Sequence, residues 1–129
     1  MAFHLNKGIV EFVEVDDIVR CEADDVVTKI YMRNGVQMTA MRNLGYYGKV
    51  LTTEYNFFQI SNDTVVNLDH VKRYNHNQLT LTLFDGKQIK ASRRCGQDFR
   101  RFINQSAEYK NLEGNENLID LFRRWFGRK

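Results

Sequence analysis

Short runs in which apolar and polar residues alternate dominate the chain, the pattern of strands with one buried face. Ile9 to Val15 (IVEFVEV) and Ile18 to Ala23 (IVRCEA) are the first two, parted by an Asp16-Asp17 turn. After Asp24-Asp25, Val26 to Arg33 sets Thr28, Ile30 and Met32 on one face and Val27, Lys29, Tyr31 and Arg33 on the other. Asn34-Gly35 then signals a hairpin, because both residues tolerate the positive φ of a type I′ turn. Val36 to Met41 is the return strand. The period then lengthens: Leu44, Tyr47, Gly48 and Leu51 fall at i, i+3, i+4, i+7. That spacing predicts a helix over Leu44 to Thr52, capped by Asn43.

The central stretch, Asn56 to Asn75 (NFFQISNDTVVNLDHVKRYN), reads as two short buried strands around an exposed polar knot at Ser61-Asn62-Asp63. Gln78 to Phe84 (QLTLTLF) is the cleanest strand, with Leu79, Leu81 and Leu83 facing one way. Asp85-Gly86 turns it back into Lys87 to Ser92, and Arg93-Arg94 stands where that strand ends. From Gln97 the pattern is helical, with Phe99, Phe102 and Ile103 on one face. Glu108 to Asn117 reads as a polar linker. Leu118 to Lys129 (LIDLFRRWFGRK) reads as a basic amphipathic helix striped by Leu118, Leu121, Phe122, Trp125 and Phe126. The expected division is therefore a mainly β domain over 1–104 and a linker plus C-terminal helix over 105–129.

Composition narrows the class. The 129 residues are 43% hydrophobic and 27% charged, ordinary for a globular domain. No apolar run reaches the roughly 18 residues that would span a bilayer. The N-terminus, MAFHLNKGIVEF, lacks the layout of a signal peptide, so the expected location is cytoplasmic. Cys21 and Cys95 form neither a metal-ligand pair nor a disulfide framework, and read as buried free thiols. The net charge of +3 says little, but its distribution is polar: residues 1–25 carry a net −5 and residues 87–101 a net +5. A basic segment is the footprint of polyanion binding.

Candidate chemistry is sparse. His4, His70 and His76 show no metal-ligand spacing, and His70 beside Asp69 reads as a structural histidine. There is no phosphate-cradling glycine loop. An enzyme is disfavoured, and no cofactor or small-molecule substrate is implied. What remains is a set of polar or basic junctions beside strands: Asp24 to Thr28, Ser61 to Asp63 and Ser92 to Arg94. Arginine forks match a guanine edge or a phosphate, and asparagine can pair with adenine. Spacing alone does not bring the three junctions to one surface.

The order DDIVRCEADDVVTKIYMRNG, then NFFQISNDTVVNLDHVKRYN, then LTLFDGKQIKASRR closely resembles the LytTR DNA-binding domain of bacterial response regulators, over roughly Lys7 to Phe102. The telling blocks are DDI with EAD, FF followed by VNLDHV, and DGK with SRR. The resemblance implies a fold of small antiparallel sheets, and loops that enter successive major grooves at paired promoter sites in double-stranded DNA. It implies base contacts around Val27 and Thr28, at Ser61-Asn62-Asp63, and at Arg94 with Arg93 beside it. Lys29, Lys90 and Arg100 are candidate phosphate contacts on charge grounds. The central knot, often His-Arg-Ser in this family, is Ser61-Asn62-Asp63 here, and Val26-Val27 stand where a polar or aromatic residue is common. A receiver domain usually precedes such a module in two-component response regulators. A first strand starting near residue 9 leaves no room for one, which implies a free-standing member or a piece of a longer regulator. The expected function is transcription regulation by sequence-specific DNA binding. The alternative is a protein-interaction or dimerisation module on the same fold, with residues 118–126 as the homodimer surface; membrane association is disfavoured.

Overall fold

The alternating runs become strands in three antiparallel sheets in the computed structural model, which describes residues 1–113 and the side chains through Ser106. In chain order they are β1 (Ala2–His4), β2 (Val10–Phe12), β3 (Ile18–Asp24), β4 (Val27–Met32), β5 (Gln37–Ala40), β6 (Phe57–Ser61), β7 (Thr64–Asn67), β8 (Val71–Asn75), β9 (Thr80–Leu83) and β10 (Gln88–Lys90). Two helices join them, α1 (Leu44–Glu54) and α2 (Arg93–Glu113). The sheets are ordered β1-β2, β5-β4-β3-β7-β6 and β10-β9-β8. The predicted mainly β class of small antiparallel sheets is what forms. No described helix is long and apolar enough to cross a membrane.

The five-stranded sheet is the frame because both of its faces are buried. One face carries Ile18, Cys21, Ile30 and Val65 against Leu44, Tyr47 and Leu51 of α1 and Phe3 of β1. The other carries Val19, Ile60 and Val66 against Leu81, Leu83 and Ile89 of the three-stranded sheet and Phe99 of α2. Fully burying a side chain such as Phe3, Leu51 or Leu81 contributes about 1.5–3 kcal/mol each. Ile18 and Cys21 are three residues apart yet share a face, because a bulge inserts one residue between Ile18 and Arg20.

Helix α1 follows its sequence closely. The Asn43 side chain accepts the Tyr46 N–H, and Leu44, Tyr47, Gly48 and Leu51 are the buried positions. A Cβ on Gly48 would stand 3.4 Å from Val65 Cγ2, so the glycine lets the helix lie close on β7.

Four expectations are corrected. The Asn34-Gly35 hairpin is not type I′: only Gly35 has positive φ (89°), and the Met32 carbonyl accepts the Gly35 N–H. This is a three-residue loop, a tight turn closed by a left-handed glycine, and the Asn34 side chain accepts the Val36 N–H. Asp85-Gly86 repeats it, with Gly86 at φ 91° bonded to Leu83 and Asp85 accepting the Lys87 N–H. The central stretch supplies three strands, since β8 follows a 3-10 turn at Leu68–His70. The strand expected from Gln78 is trimmed to Thr80, because Leu79 turns to φ 50°. Helix α2 starts at Arg93 rather than Gln97 and continues to Glu113, so 108–113 is helical where a linker was expected. β1 was not foreseen: three residues are too few for a period to register.

The Asn67-Leu68-Asp69 knot holds the frame together. The buried Asn67 donates from Nδ2 to the Ile18 carbonyl at 2.9 Å and accepts the Asp69 N–H at 2.9 Å. Asn56 Nδ2 donates to Asp69 Oδ1 at 3.0 Å. β7 is thereby tied to β3, and the chain is aimed into β8.

Candidate nucleic-acid interface

Two backbone hydrogen bonds bring the three polar junctions to one end of the molecule. The Ala23 N–H donates to the Asp63 carbonyl at 2.8 Å, which joins the β3–β4 turn to the β6–β7 turn. The Ser92 N–H donates to the Ile60 carbonyl at 2.8 Å, which joins the β6–β7 hairpin to the start of α2. Ile60 is the extra residue of a bulge, since Gln59 pairs with Val65 and Ser61 with Thr64. The irregularity that turns the hairpin also frees the acceptor that seats the helix.

Each junction has a local cause. The β3–β4 connection is only Asp25-Val26; Asp25 takes φ 59°, which aspartate tolerates, and Val26 is left 69% exposed at the tip. At the β6–β7 turn, Asp63 Oδ1 accepts from Ser61 Oγ at 2.7 Å and Thr64 Oγ1 at 3.2 Å, so its charge is bound locally and Asn62 is left outward. Ser92 caps α2, its Oγ accepting the Cys95 N–H at 3.1 Å. Phe99 and Phe102 then anchor the helix on Phe58 of β6, with ring centroids 5.1 Å apart in both pairs.

Arg93 and Arg94 open α2 and are exposed, and the first turn contains no acidic residue. Cations at a helix N-terminus oppose the helix dipole by about 0.3–1 kcal/mol each unless an anion offsets them. Unpaired N–H groups and two guanidinium groups in one place form a ready anion site.

The other expected contacts divide. Asn62 lies in a cleft with Lys49 and Gln59, and Arg94 in the adjoining cleft with Gln59 and Asp98; Thr52 borders both. Asn62 and Arg94 therefore flank one edge, that of β6. Lys49 was missed by sequence reasoning. Its signal was the stripe Gly45, Lys49, Thr52 beside the buried face of α1, but nothing in one helix tells which strand turn it will meet. Lys29 lies one hairpin away, on the sheet face opposite α1, with Nζ 3.4 Å from Asp24 Oδ2. Lys90 is exposed on β10 and donates from Nζ to the Gln78 carbonyl at 2.9 Å. Arg100 is about 10 Å along the helix from Arg93, beside Tyr74 in a groove of its own. Thr28 is a correction: it is wholly buried, and its hydroxyl donates to the Arg42 carbonyl at 2.8 Å, so it braces the hairpin and presents nothing to a ligand. The stripe at 118–126 lies outside the described residues.

Two further side chains are shaped by their surroundings. Arg20 is buried, with Nε 2.7 Å from Glu22 Oε2 and its guanidinium carbon 3.8 Å from the Tyr31 ring centroid, so its charge is spent within the sheet. Burial, with Glu22 adding to it, pushes the Cys21 thiol up to about 12. It stays protonated near neutral pH and is no nucleophile.

The chain matches the LytTr DNA-binding domain family over residues 9–104. No curated protein sequence matches it. Among solved structures, it is similar to the LytTr DNA-binding domain assigned to a methyl-accepting/DNA response regulator from Bacillus cereus, at TM-score 0.64 and 20% identity, with 78% of this chain and 93% of that one covered.

Proposed function

The chain belongs to the LytTr DNA-binding domain family, and from that premise we propose that it regulates transcription in the bacterial cytoplasm by binding promoter DNA with the loops gathered at the start of α2. The single observation that carries this reading is the pair of backbone bonds, Ala23 to Asp63 and Ser92 to Ile60. They make one surface of three junctions that lie far apart in sequence.

In the proposed mode Arg93 and Arg94, with the free N–H groups of the first turn, take a phosphate or a guanine edge. Asn62 offers a donor and an acceptor to a base edge from the neighbouring turn. Lys49 supplies from α1 a cation that the Ser61-Asn62-Asp63 turn lacks. Lys29 and Lys90 sit further out, where backbone contacts position the protein rather than read sequence. Arg100 can follow the phosphate backbone away from the loops. The partner is a double-stranded promoter, and the regulatory setting is a two-component response. No step requires a cofactor or a reaction.

The test is selection of bound duplexes from a random-sequence pool, followed by fluorescence anisotropy across a salt series. Affinity should fall steeply with salt. Arg94→Ala should erase most of the preference over a scrambled duplex, and Lys49→Ala should weaken both duplexes alike. A pool that yields no enriched sequence, or an Arg94→Ala variant that keeps full preference, refutes the reading.

A further inference from the structure

Away from the loops lies a second surface with its own chemistry. A groove of about 870 Å³ runs between β8 and α2. Phe99, Ile103 and Tyr74 line its apolar part, and Phe84, 61% exposed, stands at its lip. Lys72, Arg73 and Arg100 are exposed along it, and no carboxylate lines it among the described residues. Asn75, Asn77, Asn104 and His76 complete the polar lining, and an apolar groove whose charged residues are all cations among the described residues fits an apolar segment that carries acid.

The chain displays such a segment. β2 is exposed along its whole length: Phe12 is 81% exposed, Ile9 51% and Val10 42%, with Glu11 and Glu14 exposed beside them. The tip aromatic is flanked by acids, as the groove apolar lining is flanked by bases. A large aromatic left this open on a soluble surface marks a contact site more often than a scattered apolar residue does.

We infer that the β2 edge of one copy docks into the β8–α2 groove of a second copy, Phe12 entering beside Phe84 and Phe99, with Glu14, two residues on and on the same side of the extended chain, facing Lys72 and Arg73. The contact is heterologous: each copy keeps one free groove and one free β2 edge, so association continues head to tail. It needs neither DNA nor the loop surface. Patches this small place the contact among weak interfaces in solution, strengthened when two copies are held on neighbouring sites.

Sedimentation equilibrium of the full chain, without DNA, tests this. The average mass should rise with concentration past that of a dimer. Phe12→Asp and Phe84→Asp should each weaken association by about tenfold or more. Both residues are exposed, and circular dichroism of each variant should match the parent. The decisive arm is a mixture. Phe12→Asp keeps an intact groove and Phe84→Asp keeps an intact β2 edge, so together they should form a 1:1 pair that grows no further. Arg73→Glu and Glu14→Arg should each weaken self-association, and the two together in one chain, where every contact carries the swapped pair, should restore it. A monomeric parent, a mixture that stays monomeric, or association that survives both substitutions but is lost in Trp125→Asp overturns the proposal; the last would assign the contact to the C-terminal stripe.

Discussion

Replacing Asn67 by alanine tests whether a polar knot, rather than apolar packing, fixes how the sheets are joined. Asn67 is 2% exposed, and both ends of its amide are used, at 2.9 Å to the Ile18 carbonyl and 2.9 Å from the Asp69 N–H. Alanine removes both bonds and brings no water to replace them. A buried polar group left without a partner costs about 1–3 kcal/mol. Part of the second loss is relieved, because the Asp69 backbone is only partly buried. The expected loss is about 2–4 kcal/mol, a large share of the roughly 5–15 kcal/mol that holds a domain together. Asn67→Asp sharpens the test. It keeps the acceptor for Asp69 but sets a carboxylate against the Ile18 carbonyl. The folded state then disfavours the charged form, which raises the folded pKa of the new group. The variant should be less stable than Asn67→Ala at neutral pH, and the deficit should shrink as pH falls and the acid regains an O–H donor. Urea unfolding followed by circular dichroism measures both, with Asn62→Ala as an exposed control expected to match the parent. An Asn67→Ala midpoint within about 0.5 kcal/mol of the parent, at unchanged slope, would refute the reasoning.

Other outcomes follow from packing and burial. Gly96→Ala should destabilise by about 1–3 kcal/mol, because the new Cβ would sit 2.6 Å from Leu79 Cδ2 and 2.8 Å from Tyr74 Oη; thermal unfolding reads this. Thr28→Val should lower stability by about 1–2 kcal/mol through the orphaned Arg42 carbonyl, while DNA affinity of the folded variant stays at the parent value in anisotropy. Cys21 should resist a thiol reagent until the protein unfolds. Its folded pKa is raised from 9.0 to about 12, so its contribution to stability is whole below pH 9 and is lost as pH climbs from there. The parent should therefore lose stability faster than Cys21→Ala across that window, by up to about 1.4 kcal/mol per pH unit.

Much of the frame was legible because its causes are local. The face of α1 follows from four residues at helical spacing and a cap, and β4 alternates as strands do. The turn chemistry was half legible: Asn34-Gly35 and Asp85-Gly86 announce turns, but one residue more in each loop changes the type, and a dipeptide does not count that residue. The start of α2 was hidden by its composition. Two arginines at a helix N-terminus contradict helix preference, so the pattern pointed to a start one turn later. Thr28 shows the limit of assigning sites by loop membership. It is one residue inside β4, and the two-fold alternation turns it into the core. Lys49 was out of reach, because its neighbour Asn62 arrives through the packing of α1 on β7.

The most direct test of the account is an NMR titration of the isotope-labelled protein with a selected duplex, reading backbone amides. The account expects shifts concentrated at 24–27, 61–63 and 92–95, three segments that move together at one protein–DNA ratio, with the side-chain signals of Arg94 and Asn62 among them. Shifts confined to the β2 edge, to the β8–α2 groove, or to one of the three junctions alone would contradict it.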